Sequence, residues 1–164
     1  MLKRFFTQIA SFNPFNLFIK VLYLGGTYKI ERHGNCFDIP LQKAFIPPVN
    51  NGIVLIPLGV KIQLPKYYRG ILAFRSSTPK NYKILIPHGY GEIEWNYSGE
   101  WLGGVYTTPQ TTYAEEGARL FQFYIEPVWD APWYVHIRHI FARFKLIEVD
   151  KISTNRGGLG HTGK

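Results

Sequence analysis

The chain has 164 residues, enough for about one domain, with 19 Lys and Arg against 11 Asp and Glu and a net charge of +8. Hydrophobic residues make up 46% of it and charged residues 18%, which excludes a disordered chain. Its 16 glycines and 11 prolines favour turns and short strands over a helical bundle, and this composition excludes a coiled coil and a collagen-like repeat.

Short apolar runs between Gly and Pro residues predict a series of strands. In chain order they are Ile19–Leu24, two strands around a turn within 52–65, Gly70–Phe74, Lys83–Pro87, Gly91–Trp95, Trp101–Tyr106 and Arg119–Val128. Many short strands with this spacing are typical of a sandwich or a barrel. We therefore expect an all-β fold.

Two segments do not fit the strand pattern. Residues 1–14 form an N-terminal extension. Residues 130–145 carry apolar side chains at positions 133, 137, 140, 141 and 144, a spacing that predicts a short amphipathic helix with a basic face.

The positive charge is confined to the ends of the chain. Residues 1–30 hold four Lys or Arg and no acid, residues 133–164 hold six against two acids, and residues 31–132 hold nine of each. A basic protein favours polyanionic partners, but the neutral middle argues against a nucleic-acid groove across the whole domain. We expect an unidentified partner for the basic segments 1–30 and 130–145.

Cysteine usage and hydropathy bear on the cellular compartment. Cys36 is the one cysteine, so the chain forms no internal disulfide, which fits a reducing compartment. Residues 15–24 are the best apolar run apart from the interrupted N-terminus, and they are shorter than the ~20 residues that span a bilayer. We expect a cytoplasmic protein with no membrane span.

Five segments stand in a fixed order along the chain. They read Cys-Phe-Asp-Ile at 36–39, Phe-Arg-Ser-Ser-Thr at 74–78, Gly-Glu-Ile-Glu-Trp-Asn-Tyr-Ser-Gly-Glu at 91–100, Glu-Gly-Ala-Arg-Leu-Phe-Gln-Phe at 116–123 and Arg-Gly-Gly-Leu-Gly-His-Thr-Gly at 156–163. Together they resemble the five motifs of the trimeric dUTPases (dUTP diphosphatases), nearest the Bacillus and Bacillus-phage branch.

The resemblance implies a dUTPase-like β-barrel or jelly-roll subunit in a threefold trimer. That domain would cover residues 15–150, with a helical insertion near 131–145 and a Gly-rich C-terminal arm at 151–164 that closes a site shared between subunits. The implied reaction converts dUTP to dUMP and pyrophosphate by water attack on the α-phosphate, with Mg²⁺ carried on the triphosphate and not bound directly by the protein. A viral origin would place the protein in the host cytoplasm.

The third motif supplies the implied catalytic residue. Glu94 stands where the family has its catalytic Asp, which orients or deprotonates the attacking water. Tyr97 matches the Tyr that packs beneath deoxyribose and excludes a 2′-hydroxyl. The backbone around Gly91 and Ile93 would bind the uracil edge.

The other motifs imply contacts to the triphosphate. Arg75, Ser76 and Ser77 match the second motif, where Arg offers a planar fork and Ser a hydroxyl donor. Gln122 matches the Gln near the α-phosphate, and Asp38 matches the Asp that holds Arg75 or a metal-bound water. In the arm, Arg156 would bind the γ-phosphate, with Gly160 and Thr162 as further substrate-binding residues.

Several positions depart from the family pattern. Glu94 and Ala118 each replace an Asp, and His161 replaces a Ser. Leu159 replaces the aromatic that stacks on uracil, a role for which Trp95 or Trp101 is available. These substitutions leave open an active dUTP diphosphatase and, as the alternative, a catalytically impaired dUTPase-fold trimer that acts as a binding, regulatory or structural protein. A related nucleotide hydrolase or a dCTP deaminase on the same fold is a third interpretation.

Overall fold

The computed structural model describes residues 13–152, within which ten strands and two helices form. The strands are β1 (Asn16–Tyr23), β2 (Glu31–His33), β3 (Cys36–Pro40), β4 (Gly52–Pro57), β5 (Val60–Gln63), β6 (Tyr68–Phe74), β7 (Gly91–Glu94), β8 (Leu102–Thr107), β9 (Arg119–Pro127) and β10 (Arg143–Glu148). The helices are α1 (Thr78–Tyr82) and α2 (Trp133–Ile140).

Three sheets build the fold and confirm the all-β prediction. The largest has the strand order β2-β3-β9-β6-β7, the second has the order β10-β1-β5, and the third pairs β4 with β8. The pairing of β1 with β10 is parallel, and the other strand pairs are antiparallel. Among the described residues the sheets are not hydrogen-bonded into one closed barrel.

The core lies between the sheets and is rich in aromatic side chains. In β1, Leu17, Ile19 and Val21 point inward while the residues between them point outward, as the two-residue period of a strand requires. In β9, Phe123 stacks on Phe37 at 5.0 Å between ring centroids and meets the edge of Trp101 at 5.1 Å. The side chains that alternate with this core in the largest sheet include Asp38, Arg69 and Gln122.

The predicted strands occur within three residues of their expected ends, apart from Lys83–Pro87. That prediction is wrong: the segment follows α1 and makes an isolated bridge between Leu85 and Tyr106. The strands β2, β3 and β10 and the helix α1 were not predicted.

The predicted helix at 130–145 is present but short. It occupies Trp133–Ile140, and β10 begins at Arg143, whose backbone N–H donates to the Phe15 carbonyl at 2.8 Å. Pairing with β1 therefore ends the helical segment earlier than the apolar spacing indicated. None of the helices within residues 13–152 is long and apolar enough to span a lipid bilayer.

Candidate active site

Three of the predicted motifs meet at one end of the largest sheet. Asp38 on β3 lies opposite Gln122 on β9, and Gln122 lies opposite Ala73 on β6. The Gln122 side-chain amide donates to the Phe74 carbonyl at 3.1 Å, at the point where β6 ends. The register thus places the first, second and fourth motifs side by side.

An ion pair with a buried carboxylate lies at the centre of this end. Asp38 is 1% exposed, and the Nε atom of Arg75 lies 3.0 Å from its Oδ2. Neither Asp38 oxygen accepts a well-aligned hydrogen bond from the described residues, so the contact is an ion pair by distance. Because a buried charge needs a nearby counter-charge, Asp38 fixes the position of Arg75.

Arg119 and two residues of β2 extend the charged cluster. Arg119 places Nη1 3.8 Å from Asp38 Oδ2 and Nη2 2.8 Å from Glu31 Oε2. Its Nη1 also lies 3.0 Å from His33 Nε2. Sequence reasoning missed Glu31 and His33, since they belong to no motif and reach the site only because β2 pairs with β3.

The second motif presents its serines to solvent. Thr78 is fully buried, and its hydroxyl donates to the Leu120 carbonyl at 2.8 Å, which anchors the segment after Arg75. Ser76 and Ser77 are exposed, and Ser77 precedes α1 without capping it through its side chain. Both hydroxyls are therefore available for an anion beside Arg75.

The third motif forms a separate hairpin next to β6. Gly91 pairs with Leu72 and the partly buried Ile93 with Gly70, while Glu94 ends β7 with its side chain exposed. The Tyr97 hydroxyl donates to the Glu100 carbonyl at 3.0 Å. Burial, with a smaller effect of the Glu100 charge, raises the pKa of Tyr97, so this hydroxyl stays protonated at neutral pH.

An ion-pair network that sequence reasoning missed braces this hairpin. Arg69 on β6 binds Glu92 on β7 at 2.9 Å and Glu126 on β9 at 2.7 Å. Hydrogen bonds to these two carboxylates raise the pKa of Arg69. In the strand register Arg69 lies opposite Glu94 on β7 and Glu126 on β9. The network therefore links β7 through β6 to β9 at the end of β7 that carries Glu94.

The structure brings the predicted residues together as two groups. Asp38, Arg75 and Gln122 form one group, and Glu94 and Tyr97 belong to the other. On β6, Ala73 lies opposite Gln122 of the first group and Arg69 lies opposite Glu94 of the second. These two β6 residues are four positions apart, which is about 13 Å along the strand at about 3.3 Å per residue. Arg156, Gly160 and Thr162 lie outside the described residues.

The two tryptophans proposed to cover the base differ in exposure. Trp101 is fully buried in the core, so the expectation that it stacks on a ligand is wrong. Trp95 follows Glu94 directly, is partly exposed and lies 6.4 Å from the Tyr67 ring between centroids. Within residues 13–152 no group of three or more His, Cys, Asp or Glu side chains is placed to hold a metal ion.

Known proteins resemble both the sequence and the fold. No family model matches the chain. The chain is 34% identical over 113 residues to the SPbeta prophage-derived deoxyuridine 5'-triphosphate nucleotidohydrolase YosS of Bacillus subtilis, covering 66% of this chain and 70% of the relative. It is 30% identical over 114 residues to the deoxyuridine 5'-triphosphate nucleotidohydrolase of Acinetobacter baumannii, covering 68% and 69%.

Solved structures of dUTPases resemble the fold of this chain. The dUTPase from Streptococcus mutans superposes with a TM-score of 0.58 at 24% identity, covering 67% of this chain and 93% of that chain. A mutant dUTPase from phage phi11 of S. aureus, in which a structural Mg(II) ion is coordinated, superposes with a TM-score of 0.58 at 19% identity, covering 70% and 93%. The chain therefore shares both a sequence pattern and a backbone architecture with these proteins.

Proposed function

The chain belongs to the dUTPase family, and we propose that it hydrolyses dUTP to dUMP and pyrophosphate by attack of water on the α-phosphorus. The observation that carries this proposal is the Asp38–Arg75 ion pair beside the exposed hydroxyls of Ser76 and Ser77. The relatives are named as hydrolases, which favours hydrolysis over the alternative of a catalytically impaired binding protein.

The group around Asp38 is suited to bind the triphosphate. Arg75 offers a planar set of N–H donors held by Asp38, and Ser76 and Ser77 add neutral donors. Gln122 would lie near the α-phosphate. Since positioning and electrostatic stabilisation supply most of the catalysis of phosphoryl transfer, fixed cations and donors are what the reaction needs.

Glu94 is the proposed general base. Its carboxylate is exposed at the end of β7, where a water molecule has access to it. We propose that Glu94 orients the attacking water and accepts its proton as the bond to the α-phosphorus forms and the pyrophosphate leaves. The network around Arg69 would keep this strand end fixed during the step.

The nucleoside would bind along the hairpin that carries Glu94. The ring of Tyr97, held by its bond to the Glu100 carbonyl, would pack beneath deoxyribose and exclude a 2′-hydroxyl. The backbone of Gly91 and Ile93 would bind the uracil edge, and Trp95 would cover the base. A stack of this kind is worth ~1–3 kcal/mol.

A shared site would join the two groups of residues. In one chain they are about 13 Å apart along β6, so a threefold trimer would let the hairpin of one subunit face the Asp38 group of its neighbour. The arm, with Arg156, Gly160 and Thr162, would close the site over the γ-phosphate.

Magnesium would arrive with its substrate, as Mg-dUTP. Mg²⁺ at sites of this kind is commonly bound by substrate phosphates, water and one or two carboxylates. The Asp38 carboxylate is buried against Arg75, so of the two roles that the resemblance implies, holding Arg75 is the one its position supports. The ion would neutralise charge on the triphosphate.

Pyrophosphate release from dUTP, dTTP, dCTP and UTP, each with Mg²⁺, tests the proposed activity. We expect dUTP to be the preferred substrate. Glu94→Gln should lower kcat by about 10²–10⁴-fold, the range that a general base contributes. Glu115→Gln, which neutralises an exposed carboxylate outside the Asp38 group and the Glu94 hairpin, is the matched control. Equal rates for wild type and Glu94→Gln, or no release from dUTP, would refute the proposal.

A further inference from the structure

The fold brings the two basic ends of the chain together. The parallel pairing of β1 with β10 places Asn16 opposite Arg143 and Phe18 opposite Lys145. Arg143 and Lys145 are exposed, as are Phe18 and Lys20 on β1. No Asp or Glu occurs in residues 13–30 or 131–147. Glu148, which ends β10, is paired with Lys29 at 2.8 Å.

Helix α2 turns its apolar side to solvent. Trp133, Ile137, Ile140 and Phe141 recur at helical spacing and are 77%, 52%, 71% and 58% exposed. The buried residue of the helix is Val135, which at 100° per residue lies on the opposite side. An apolar stripe that the fold leaves uncovered indicates a binding surface.

The apolar stripe adjoins the basic strands. The Arg138 guanidinium donates to the Pro14 carbonyl at 2.9 Å, and the Phe141 ring lies 5.5 Å from that of Phe15. Arg143 follows directly and bonds to the Phe15 carbonyl. We call this combined region the basic-aromatic surface; it comprises Phe15, Phe18, Lys20, Trp133, Ile137, Ile140, Phe141, Arg143 and Lys145.

We propose that the basic-aromatic surface binds the face of an anionic lipid bilayer. Helix α2 would lie in the headgroup region, with its apolar stripe at the acyl boundary and the neighbouring cations on lipid phosphates. Charge complementarity selects an anionic partner. The stripe combines Ile137 and Ile140 with Trp133, the mixture of aliphatic and aromatic side chains typical of helices that lie in a bilayer surface.

The proposal is independent of the proposed hydrolysis. None of the residues assigned to dUTP belongs to the basic-aromatic surface, and the surface would leave the catalytic groups of the largest sheet untouched. Failure of one proposal therefore does not decide the other.

Co-sedimentation of the full-length protein with vesicles tests this inference. We expect binding to phosphatidylcholine vesicles that contain about one third phosphatidylglycerol, little binding to pure phosphatidylcholine, and a decrease with added salt. Ile140→Ser should weaken binding about tenfold, since it removes a large apolar side chain from the stripe. Lys145→Gln should weaken it about fivefold.

Two matched variants control for exposure and charge. Ile46→Ser removes an isoleucine that is 75% exposed but lies outside the surface, and Lys43→Gln removes an exposed lysine elsewhere. Both should bind vesicles like wild type. The proposal is overturned if anionic vesicles are not bound, if all four variants bind alike, if a single-stranded oligonucleotide is bound in their place, or if Ile140→Ser changes only the oligomeric state.

Discussion

Asp38 determines where the cations around it can lie. Its carboxylate is 1% exposed, while the side chains of Arg75 and Arg119 are 36% and 33% exposed. The anion is thus fully inside the protein and the cations extend from it to the surface. Glu31 and His33 also contact Arg119, so Arg75 is the cation to which the proposed function assigns the incoming anion.

Replacing Asp38 by Asn should impair catalysis more than folding. The amide keeps the size of the side chain but removes the charge that positions Arg75, and a misplacement of ~1 Å costs about 100-fold. We expect kcat/KM for dUTP to fall by about this factor. Asp130→Asn, the same substitution at an exposed position outside both groups, should change it less than about threefold. Steady-state kinetics of both variants is the measurement, and a wild-type value for Asp38→Asn would contradict the assigned role.

Tyr97 offers a test of sugar recognition. Tyr97→Ala removes the ring, so the ratio of kcat/KM for dUTP to that for UTP should fall by at least about tenfold. Tyr97→Phe keeps the ring and loses only the hydroxyl bond to the Glu100 carbonyl, and should largely keep the ratio. An unchanged ratio in Tyr97→Ala would show that another group excludes the 2′-hydroxyl.

At the scale of elements, local sequence predicted the strands that begin and end at turn residues. The segments that became β6, β8 and β9 are apolar runs bounded by Gly, Pro or charged residues. The strand β10 alternates exposed and partly buried residues. Its first residues were predicted as helix, because their apolar side chains continue the helical spacing of residues 130–145. Its pairing with β1, more than a hundred residues away, decides its structure, and no local signal carries that information.

Local sequence also predicted only part of the candidate site. The motifs identified Asp38, Arg75 and Gln122. The strand register places Gln122 opposite Asp38, and the ion pair with Asp38 places Arg75 beside them. Glu31, His33 and Arg69 could not be predicted, because they act through strands paired across the sheet. Trp101 is an aromatic residue next to the third motif, as a base-stacking residue would be. Its contact with Phe123 shows that it belongs to the core.

The contact of α2 with the core predicts a pH dependence of stability. Burial lowers the pKa of His139 below its usual 6.5, with smaller effects from Glu126, which raises it, and His136, which lowers it. As the pH falls below about 6.5, the unfolded chain takes up a proton that the folded protein resists, so stability decreases. Above that pH both states are neutral at His139 and the effect disappears.

Urea unfolding between pH 5 and 7.5 measures this effect. His139→Gln should make the free energy of unfolding fall less steeply with acidification than in wild type. His88→Gln, which removes an exposed imidazole outside α2, is the matched control. An identical slope for wild type and His139→Gln would contradict the burial of the neutral ring.

For the whole molecule, the decisive feature is the separation of the two groups of predicted site residues. The Asp38 cluster and the hairpin with Glu94 lie on the same sheet but about 13 Å apart along β6. If each site is built from neighbouring subunits of a symmetric trimer, every chain contributes different residues to different sites. Two differently inactivated chains can then restore activity when they assemble together.

Subunit mixing tests this account most directly. Arg75→Ala and Glu94→Gln, each inactive alone, are unfolded together in equal amounts, refolded and assayed for pyrophosphate release from dUTP. If a site needs Arg75 from one subunit and Glu94 from its neighbour, random assembly leaves about one quarter of the sites intact, so about a quarter of wild-type activity should return. Mixing without refolding is the control and should stay inactive. Inactive mixed trimers would contradict a site shared between subunits.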